Sequence, residues 1–173
     1  MLLERFYPDQ IMASTYDIDF QKLYESGIRG LIFDIDNTLV EHGKDADNRA
    51  IALMASLKNT GFSICLLSNN KEERVARFNR PIQVSYIYKA GKPSGKNYHE
   101  AMRLLHTDLS NTLFIGDQLF TDVWGAKRIG MKHILVRPID PHEEIQIVLK
   151  RYLERIVLFF YKRYKRSEGK QKR

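Results

Sequence analysis

The chain has 173 residues, of which 43% are hydrophobic and 28% are charged, as is typical of one globular domain and unlike disordered or fibrous proteins. Its single cysteine, Cys65, lies in an apolar run, which excludes an intrachain disulfide framework and argues against a cysteine-based zinc site. The formal net charge is +7, but residues 150–173 contain ten Lys and Arg and only two Glu. We therefore expect a nearly neutral domain followed by a basic tail. Such a tail favours an anionic surface, phospholipid or nucleic acid, although a solvated C-terminus without a partner is the alternative.

The first residues include Glu4 and Pro8 where a secretory signal peptide needs an unbroken apolar core. No stretch reaches the roughly 20 apolar residues of a membrane-spanning helix. We therefore expect a cytoplasmic protein.

Apolar runs alternate with amphipathic segments along the chain. The runs that predict strands are, in chain order, 30–34, 62–68, 84–88, 113–117 and 132–136. The segments that predict helices between them are 48–60, 71–79, 93–106 and 121–129. Strands that alternate with helices at this spacing predict βαβ units, an α/β fold and a parallel sheet.

Capping and packing signals refine three of these helices. In the helix at 48–60, Asp47 or Asn48 is the expected N-cap, and Gly61 lies just past the end. The helix at 93–106 has Ala101, Leu104 and Leu105 as one apolar face. For the helix at 121–129, Thr121 is a candidate N-cap.

Four predicted strands end in polar residues. These strand ends are Asp34, Ser68, Lys89 (shortly before Lys92) and Asp117. Ligands of a parallel α/β sheet bind beyond the carboxyl ends of its strands. We therefore expect these side chains to converge on one pocket.

The acidic residues at these strand ends predict a metal-assisted reaction. Asp34 and Asp36 are two residues apart, so one carboxylate can be a nucleophile and the other a proton donor. Asp117 and Asp122 bring further acids to the same edge, and carboxylates packed so closely repel each other. Mg²⁺ suits a sparse set of carboxylates, whereas the lack of Cys and His ligands disfavours zinc.

The remaining strand ends predict phosphate binding. Ser68 offers a hydroxyl, the amides of Asn69 and Asn70 open the next helix, and Lys92 supplies a positive charge. Each motif alone is an ordinary turn or helix cap. Their joint occurrence, each at the end of a predicted strand, is what favours a catalytic site.

Four motifs together resemble the haloacid dehalogenase (HAD) superfamily of phosphatases. They are DIDNTL at 34–39, SNN at 68–70, KP at 92–93 and GDQLFTD at 116–122. The resemblance covers about residues 30–136 and implies a three-layer Rossmann-like fold with a mainly parallel central sheet. The 33 residues between Asp34 and Ser68 and the 23 between Ser68 and Lys92 are used by predicted elements, so we expect no large cap domain. The resulting open pocket would admit bulky substrates.

The resemblance implies three groups of site residues. The catalytic residues are Asp34, Asp36 and Lys92. The residues that bind the substrate phosphate are Thr38, Ser68, Asn69 and Lys92. The Mg²⁺ ligands are Asp34, the backbone carbonyl of Asp36, and Asp117, supported by Gly116 and Asp122. Asp34 would attack phosphorus to form an aspartyl-phosphate, and Asp36 would protonate the leaving oxygen and then activate water.

A narrower resemblance involves the segment before the first motif. Pro8, Asp17-Ile18-Asp19 and Gly27-Ile28-Arg29-Gly30 resemble the YqeG subfamily of type IIIA HAD phosphatases, including mitochondrial phosphatidylglycerophosphate phosphatases. This resemblance implies a phospholipid headgroup as substrate and phosphatidylglycerol as product. Ile35 stands where the mitochondrial relatives carry a lysine. The alternatives are a phosphatase for a soluble phosphosugar, nucleotide or phosphoprotein, and a non-catalytic adaptor whose tail binds RNA or a protein.

The tail predicts an amphipathic basic helix. Its apolar stripe, spaced three and four residues apart, is Ile145, Val148, Leu149, Tyr152, Leu153, Ile156, Phe159 and Phe160. The basic residues off the stripe are Lys150, Arg151, Arg155, Lys162 and Arg163. Such a helix is typical of peripheral binding to the anionic inner face of a membrane. The alternative is packing on the domain or on a second copy in a homo-oligomer; nucleic-acid binding is disfavoured because no recognition motif accompanies the charges.

These patterns predict that the chain consists of two parts. Residues 1–142 form the HAD-like phosphatase domain, and residues 143–173 form the basic C-terminal helix and tail.

Overall fold

The computed structural model describes residues 2–140 and 145–171, with side chains for 3–140 and 151–166. The strands are β1 (Gln10–Met12), β2 (Gly30–Phe33), β3 (Ser63–Leu67), β4 (Ser85–Ile87), β5 (Thr112–Gly116) and β6 (Lys132–Val136). The α-helices are α1 (Phe20–Glu25), α2 (Asn48–Thr60), α3 (Glu72–Asn79), α4 (Lys96–Leu105), α5 (Trp124–Arg128) and α6 (Ile145–Gln171). Short 3₁₀ helices span Leu2–Phe6 and Thr15–Asp17, and a π-helical turn spans Leu119–Val123.

The six strands form one parallel sheet in the order β1-β6-β5-β2-β3-β4. Central strand β2 is buried on both faces, and its side chains alternate between two cores. Leu31 and Phe33 pack with α2 and α3 on one face, whereas Ile32 packs with α4 and α5 on the other. The predicted three-layer α/β fold with a parallel sheet is therefore confirmed.

The predicted elements between residues 30 and 136 are all present, with shifts of a few residues at their ends. The signals of α2 act as expected: the Asp47 carboxylate accepts a hydrogen bond from the Ala50 amide at 2.7 Å, and Gly61 adopts a left-handed φ of 107°. Residues 34–92 comprise the loop 34–47, the elements α2, β3, α3 and β4, and short connections, so no domain is inserted there. The absence of a large cap domain over those residues, all of which are described, agrees with the expectation.

Two local predictions are wrong. Leu104 is exposed, and the buried face of α4 comprises Tyr98, Ala101, Met102 and Leu105. These four positions repeat every three or four residues, so they share one side of the helix, and Leu104 points away from it. Thr121 is not an N-cap, because the helical turn already begins at Leu119. The turn begins before Thr121 because the Asp122 carboxylate accepts hydrogen bonds from the amides of Asp117 and Gln118.

The N-terminal segment contains elements that the sequence patterns did not predict. Strand β1 pairs with β6 at the sheet edge, with Gln10 opposite Ile134. The 3₁₀ helix Thr15–Asp17 is hydrogen-bonded to the loop after β2. The Thr15 hydroxyl donates to the Thr38 carbonyl at 2.7 Å, and the Tyr16 hydroxyl donates to the Leu39 carbonyl at 2.6 Å. A three-residue strand is too short to give a detectable alternation of side chains.

Helix α6 packs against the sheet edge through one side and leaves the other exposed. Val157 and Tyr161 are buried with Tyr7, Leu119 and Leu135. The members of the predicted apolar stripe with described side chains are between 45% and 62% exposed, namely Tyr152, Leu153, Ile156, Phe159 and Phe160. The stripe therefore faces outward while α6 rests on the domain through other residues. The side chains of Ile145, Val148, Leu149 and Lys150 and the predicted domain boundary at 142–143 lie outside the described residues.

No helix in the described part of the chain combines the length and the apolar character that crossing a bilayer requires.

Candidate active site

The carboxyl ends of β2, β5 and the neighbouring loops bring the predicted acids together. Carboxylate oxygens of Asp34, Asp117 and Asp122 lie within 4.8 Å of one another, and all three residues are buried. The Lys92 ammonium lies 2.8 Å from Oδ1 of both Asp34 and Asp122. Side chains separated by up to 88 residues thus meet in one crevice, as the strand-end argument predicts.

The loop after β2 is held by the domain around it. Asn37 adopts a left-handed φ of 60°, a conformation that Asn tolerates, and its Oδ1 accepts a hydrogen bond from the Asp140 amide. The Thr38 hydroxyl donates to Oδ1 of Asp117 at 3.1 Å. Thr38 therefore links the loop to the acidic cluster.

Asp36 lies in a cradle of three donors. The Gly43 amide, Nδ2 of Asn70 and Nη2 of Arg74 donate to its carboxylate at 2.7, 2.7 and 2.8 Å. Nε and Nη1 of Arg74 are buried and have no hydrogen-bond partner among the described residues, a feature that usually calls for a functional explanation. Sequence reasoning missed Arg74; its only signal was its place in the first turn of a helix that starts at the carboxyl ends of the strands.

The SNN segment organises the backbone around the crevice. Oγ of Ser68 is buried and accepts a hydrogen bond from the Asn70 amide at 3.2 Å. The Asn69 side chain accepts from the Lys92 amide at 2.8 Å and donates to the Lys92 carbonyl at 3.2 Å. The described contacts of the Asn69 side chain therefore fix Lys92, while its predicted contact with phosphate stays a prediction.

Gly116 leaves room for Asp122. A Cβ atom on Gly116 would lie 2.5 Å from Oδ2 of Asp122, closer than any side chain tolerates. Because that carboxylate also binds Lys92 and the amides of Asp117 and Gln118, any larger residue at position 116 would disturb the whole cluster.

Helix α6 reaches the same cluster. Arg151 donates to Oδ2 of Asp117 and, at 2.7 Å, to the Asp117 carbonyl. It also pairs with Glu154 at 2.9 Å, and Glu154 accepts a hydrogen bond from the Leu119 amide at 2.8 Å. The sequence placed Arg151 only among the basic residues of the tail; nothing in the local pattern indicated that it would contact a candidate metal ligand.

The electrostatics of the crevice reflect too many acids for the cations present. Burial raises the pKa of Asp34 to about 6, although the Lys92 ammonium opposes the shift. Burial and the Asp122 charge raise the pKa of Asp117 well above its ordinary value, against the effect of Arg151. Burial lowers the pKa of Lys92, but the charges of Asp122 and Asp34 outweigh it and keep the ammonium protonated.

The donor set fits a hard divalent cation. All three clustered side chains offer oxygen, they are buried together, and the raised carboxyl pKa values show that more positive charge would stabilise their ionised forms. Mg²⁺ prefers carboxylate, water and phosphate oxygens over the nitrogen and sulfur ligands of zinc.

Two comparisons at the level of sequence match this chain to known proteins. A family model described as HAD-hydrolase-like matches residues 89–138. The probable phosphatase YqeG of Bacillus subtilis is 38% identical over 164 residues, which cover 94% of this chain and 95% of that protein.

Solved structures support the fold alone. NagD from E. coli K-12 aligns with a TM-score of 0.53 at 13% identity, over 70% of this chain and 91% of that one. The cobalt-bound deoxy-D-mannose-octulosonate 8-phosphate phosphatase YrbI from Haemophilus influenzae aligns with a TM-score of 0.51 at 14% identity, over 68% of this chain and 82% of that one.

Proposed function

Because the chain belongs to the YqeG family of HAD-type phosphatases, we propose that it is a Mg²⁺-dependent phosphomonoesterase that converts phosphatidylglycerophosphate to phosphatidylglycerol at the inner face of a membrane. One observation carries the proposal: Arg151, on a helix with an exposed apolar and basic face, contacts Asp117 within the buried cluster of acids. The candidate membrane-binding element and the candidate catalytic crevice are therefore neighbours.

Asp34 is the nucleophile in this proposal. Its carboxylate oxygen attacks phosphorus, the bond from phosphorus to the leaving oxygen breaks, and an aspartyl-phosphate forms. Lys92, Ser68, Thr38 and the Asn69 amide hold the transferred phosphoryl group. Mg²⁺ held by Asp34, Asp117 and the Asp36 carbonyl would supply the positive charge that phosphoryl transfer needs.

Asp36 moves the protons. It donates a proton to the leaving oxygen, which departs as the alcohol, and then accepts a proton from the water that attacks the aspartyl-phosphate. Hydrolysis releases inorganic phosphate and regenerates the Asp34 carboxylate. The donors of Gly43, Asn70 and Arg74 keep Asp36 at the rim of the crevice between these steps.

The outer face of α6 supports action at a membrane. Five large apolar side chains from Tyr152 to Phe160 are exposed, an unusual concentration on the surface of a soluble domain. Arg155, Lys162 and Arg163 are exposed beside them. Each basic residue near an anionic leaflet contributes about 1 kcal/mol of attraction, and the apolar side chains add their transfer from water. The open crevice would then accept a headgroup without extracting the lipid.

Paired substrates test the proposal. With Mg²⁺ present, phosphate release from phosphatidylglycerophosphate in detergent micelles is compared with release from a panel of soluble phosphosugars, nucleotides and phosphopeptides. We expect a kcat/KM for the lipid that exceeds the panel by at least about a hundredfold, and loss of turnover when Mg²⁺ is chelated. Equal turnover across the panel would overturn the lipid assignment.

The nucleophile provides the matched control. Asp34→Asn should lower turnover of every substrate by at least about a thousandfold, because no other group can form the covalent intermediate. Asp45→Asn removes a carboxylate from an exposed ion pair with Arg77 and should leave turnover unchanged. Turnover retained in Asp34→Asn would contradict the mechanism.

A further inference from the structure

A groove runs between strand β6 and helix α6, and we propose that it binds the part of the substrate beyond the transferred phosphate. It would select phosphomonoesters that carry a second anionic group and an apolar chain. This inference rests on the proposed phosphatase function of the crevice, because Asp117 lines the groove and also belongs to the acidic cluster. The nucleophile Asp34 has a carboxylate oxygen within 4.8 Å of an Asp117 oxygen, so one ligand can occupy both regions.

The size and lining of the groove suit an apolar chain. The cavity volume is about 290 Å³, near the lower end of the range for small-molecule sites. Ile11, Leu135 and Val136 from the sheet edge and Leu158 from α6 provide its apolar surface. One part of the lining is therefore apolar, beside a crevice that is polar and charged.

The charged residues that line the groove suit an anion. Arg137, Arg155 and Lys162 line the groove together with Arg151. Among the described residues that line the groove, the acids are Asp117 and Glu154, and both already contact Arg151. Within the described part of the chain, Arg137, Arg155 and Lys162 have no carboxylate partner, so an anionic ligand would offset their mutual repulsion.

The position of Arg155 makes it the residue to test. It lies one turn beyond Arg151 on α6, and its guanidinium lies over the Tyr152 ring at 5.5 Å from the centroid. Arg155 therefore lines the groove on the same helix as the arginine that contacts Asp117. A charge-assisted hydrogen bond to an anionic group contributes about 1.5–3 kcal/mol, which corresponds to tenfold or more in affinity.

Binding of soluble short-chain lipids tests the groove without using catalysis. Isothermal titration calorimetry on the full chain with Mg²⁺ compares dihexanoyl phosphatidylglycerol with dihexanoyl phosphatidylcholine, both below their micelle concentrations. The first probe has an apolar chain and a net negative charge, whereas the second has the same chains and no net charge. We expect the anionic lipid to bind at least about tenfold more tightly.

Matched variants locate the effect. Arg155→Gln should weaken phosphatidylglycerol binding about tenfold and leave phosphatidylcholine binding within about twofold. Arg163→Gln removes the same charge from the same helix but lies outside the groove, so the ratio of the two affinities should stay at the wild-type value. Equal affinity for both lipids, or equal effects of the two variants, would overturn the proposal that the groove binds the substrate. If the protein binds phosphatidylglycerol selectively but does not hydrolyse phosphatidylglycerophosphate, the proposed reaction is wrong and the proposal for the groove stands.

Discussion

The candidate catalytic crevice and helix α6 are built in opposite ways, although Arg151 contacts both. In the crevice, Asp34, Lys92 and Asp122 are buried and held by ion pairs of 2.8 Å. On α6, apolar side chains such as Ile156 and Phe159 are more than half exposed. A site that neutralises charge needs fixed, buried groups, whereas a surface that meets a lipid leaflet needs exposed apolar ones. The contrast implies that changes in the crevice affect every substrate and changes on the outer face of α6 affect lipid substrates only.

Of the four changes that follow, Gly116→Ala should have the largest effect on turnover. The added Cβ would lie 2.5 Å from Oδ2 of Asp122 and push that carboxylate away from Lys92. Since a displacement of about 1 Å can lower turnover a hundredfold, we expect about that loss on both lipid and soluble phosphoesters, measured by phosphate release. Gly130→Asn is the control, because nothing lies within 4 Å of a Cβ there and Asn tolerates its φ of 75°. Activity retained in Gly116→Ala would mean that the cluster is not catalytic.

The exposed face of α6 gives the complementary result. In the double variant Ile156→Ser and Phe159→Ser, the fold should persist because both side chains are exposed. Two lost apolar contacts of about 1 kcal/mol each predict roughly thirtyfold weaker sedimentation with phosphatidylglycerol vesicles, and soluble-ester turnover within about twofold. Leu104→Ser, an exposed leucine on α4, is the control for surface polarity and should leave vesicle binding intact. If the double variant still binds vesicles as tightly as wild type, α6 does not hold the membrane.

A moderate loss on all substrates is expected for Arg74→Gln. The change removes the ion pair that Arg74 makes with Asp36, so the proton donor is less well oriented, and kcat should fall about tenfold with KM little changed. Arg77→Gln lies on the same helix but breaks only exposed contacts, the ion pair with Asp45 and a 3.3 Å hydrogen bond to the Gly43 carbonyl, so it should match wild type in the same steady-state assay. A loss confined to lipid substrates would contradict the division between the two regions.

The smallest effect should lie outside both regions. Asp47→Ala removes the side chain that caps α2 and should lower the free energy of unfolding by about 1 kcal/mol, measured by urea denaturation. Because α2 supports the sheet from the face away from α6, lipid and soluble turnover should change equally or not at all. A selective change in lipid turnover would show that stability, and not the face of α6, governs that activity.

Local sequence patterns were sufficient for much of the fold. The strand at 132–136 and the helix at 48–60 agree with the structure residue for residue, because apolar periodicity and the caps Asp47 and Gly61 act over a few residues. The short strand β1 was not predicted, since its pairing with β6 depends on residues more than 120 positions away. Thr121 was assigned wrongly for a local reason: the Asp122 carboxylate accepts hydrogen bonds from the amides of Asp117 and Gln118, and the helical turn begins at Leu119.

The amino-acid sequence by itself determined which acids, hydroxyls and ammonium group stand at the strand ends, and that the tail is an amphipathic basic helix. Only the tertiary structure decided which side of α6 faces the domain, and only it placed Arg74 against Asp36 and Arg151 against Asp117. The periodicity of a sequence predicts which residues share a face of a helix, but it does not predict which part of the protein each face contacts. Long-range packing decides which side of α6 is buried. Because Val157 and Tyr161 are buried against the sheet edge, Arg151 points toward the domain and the apolar stripe is exposed to water.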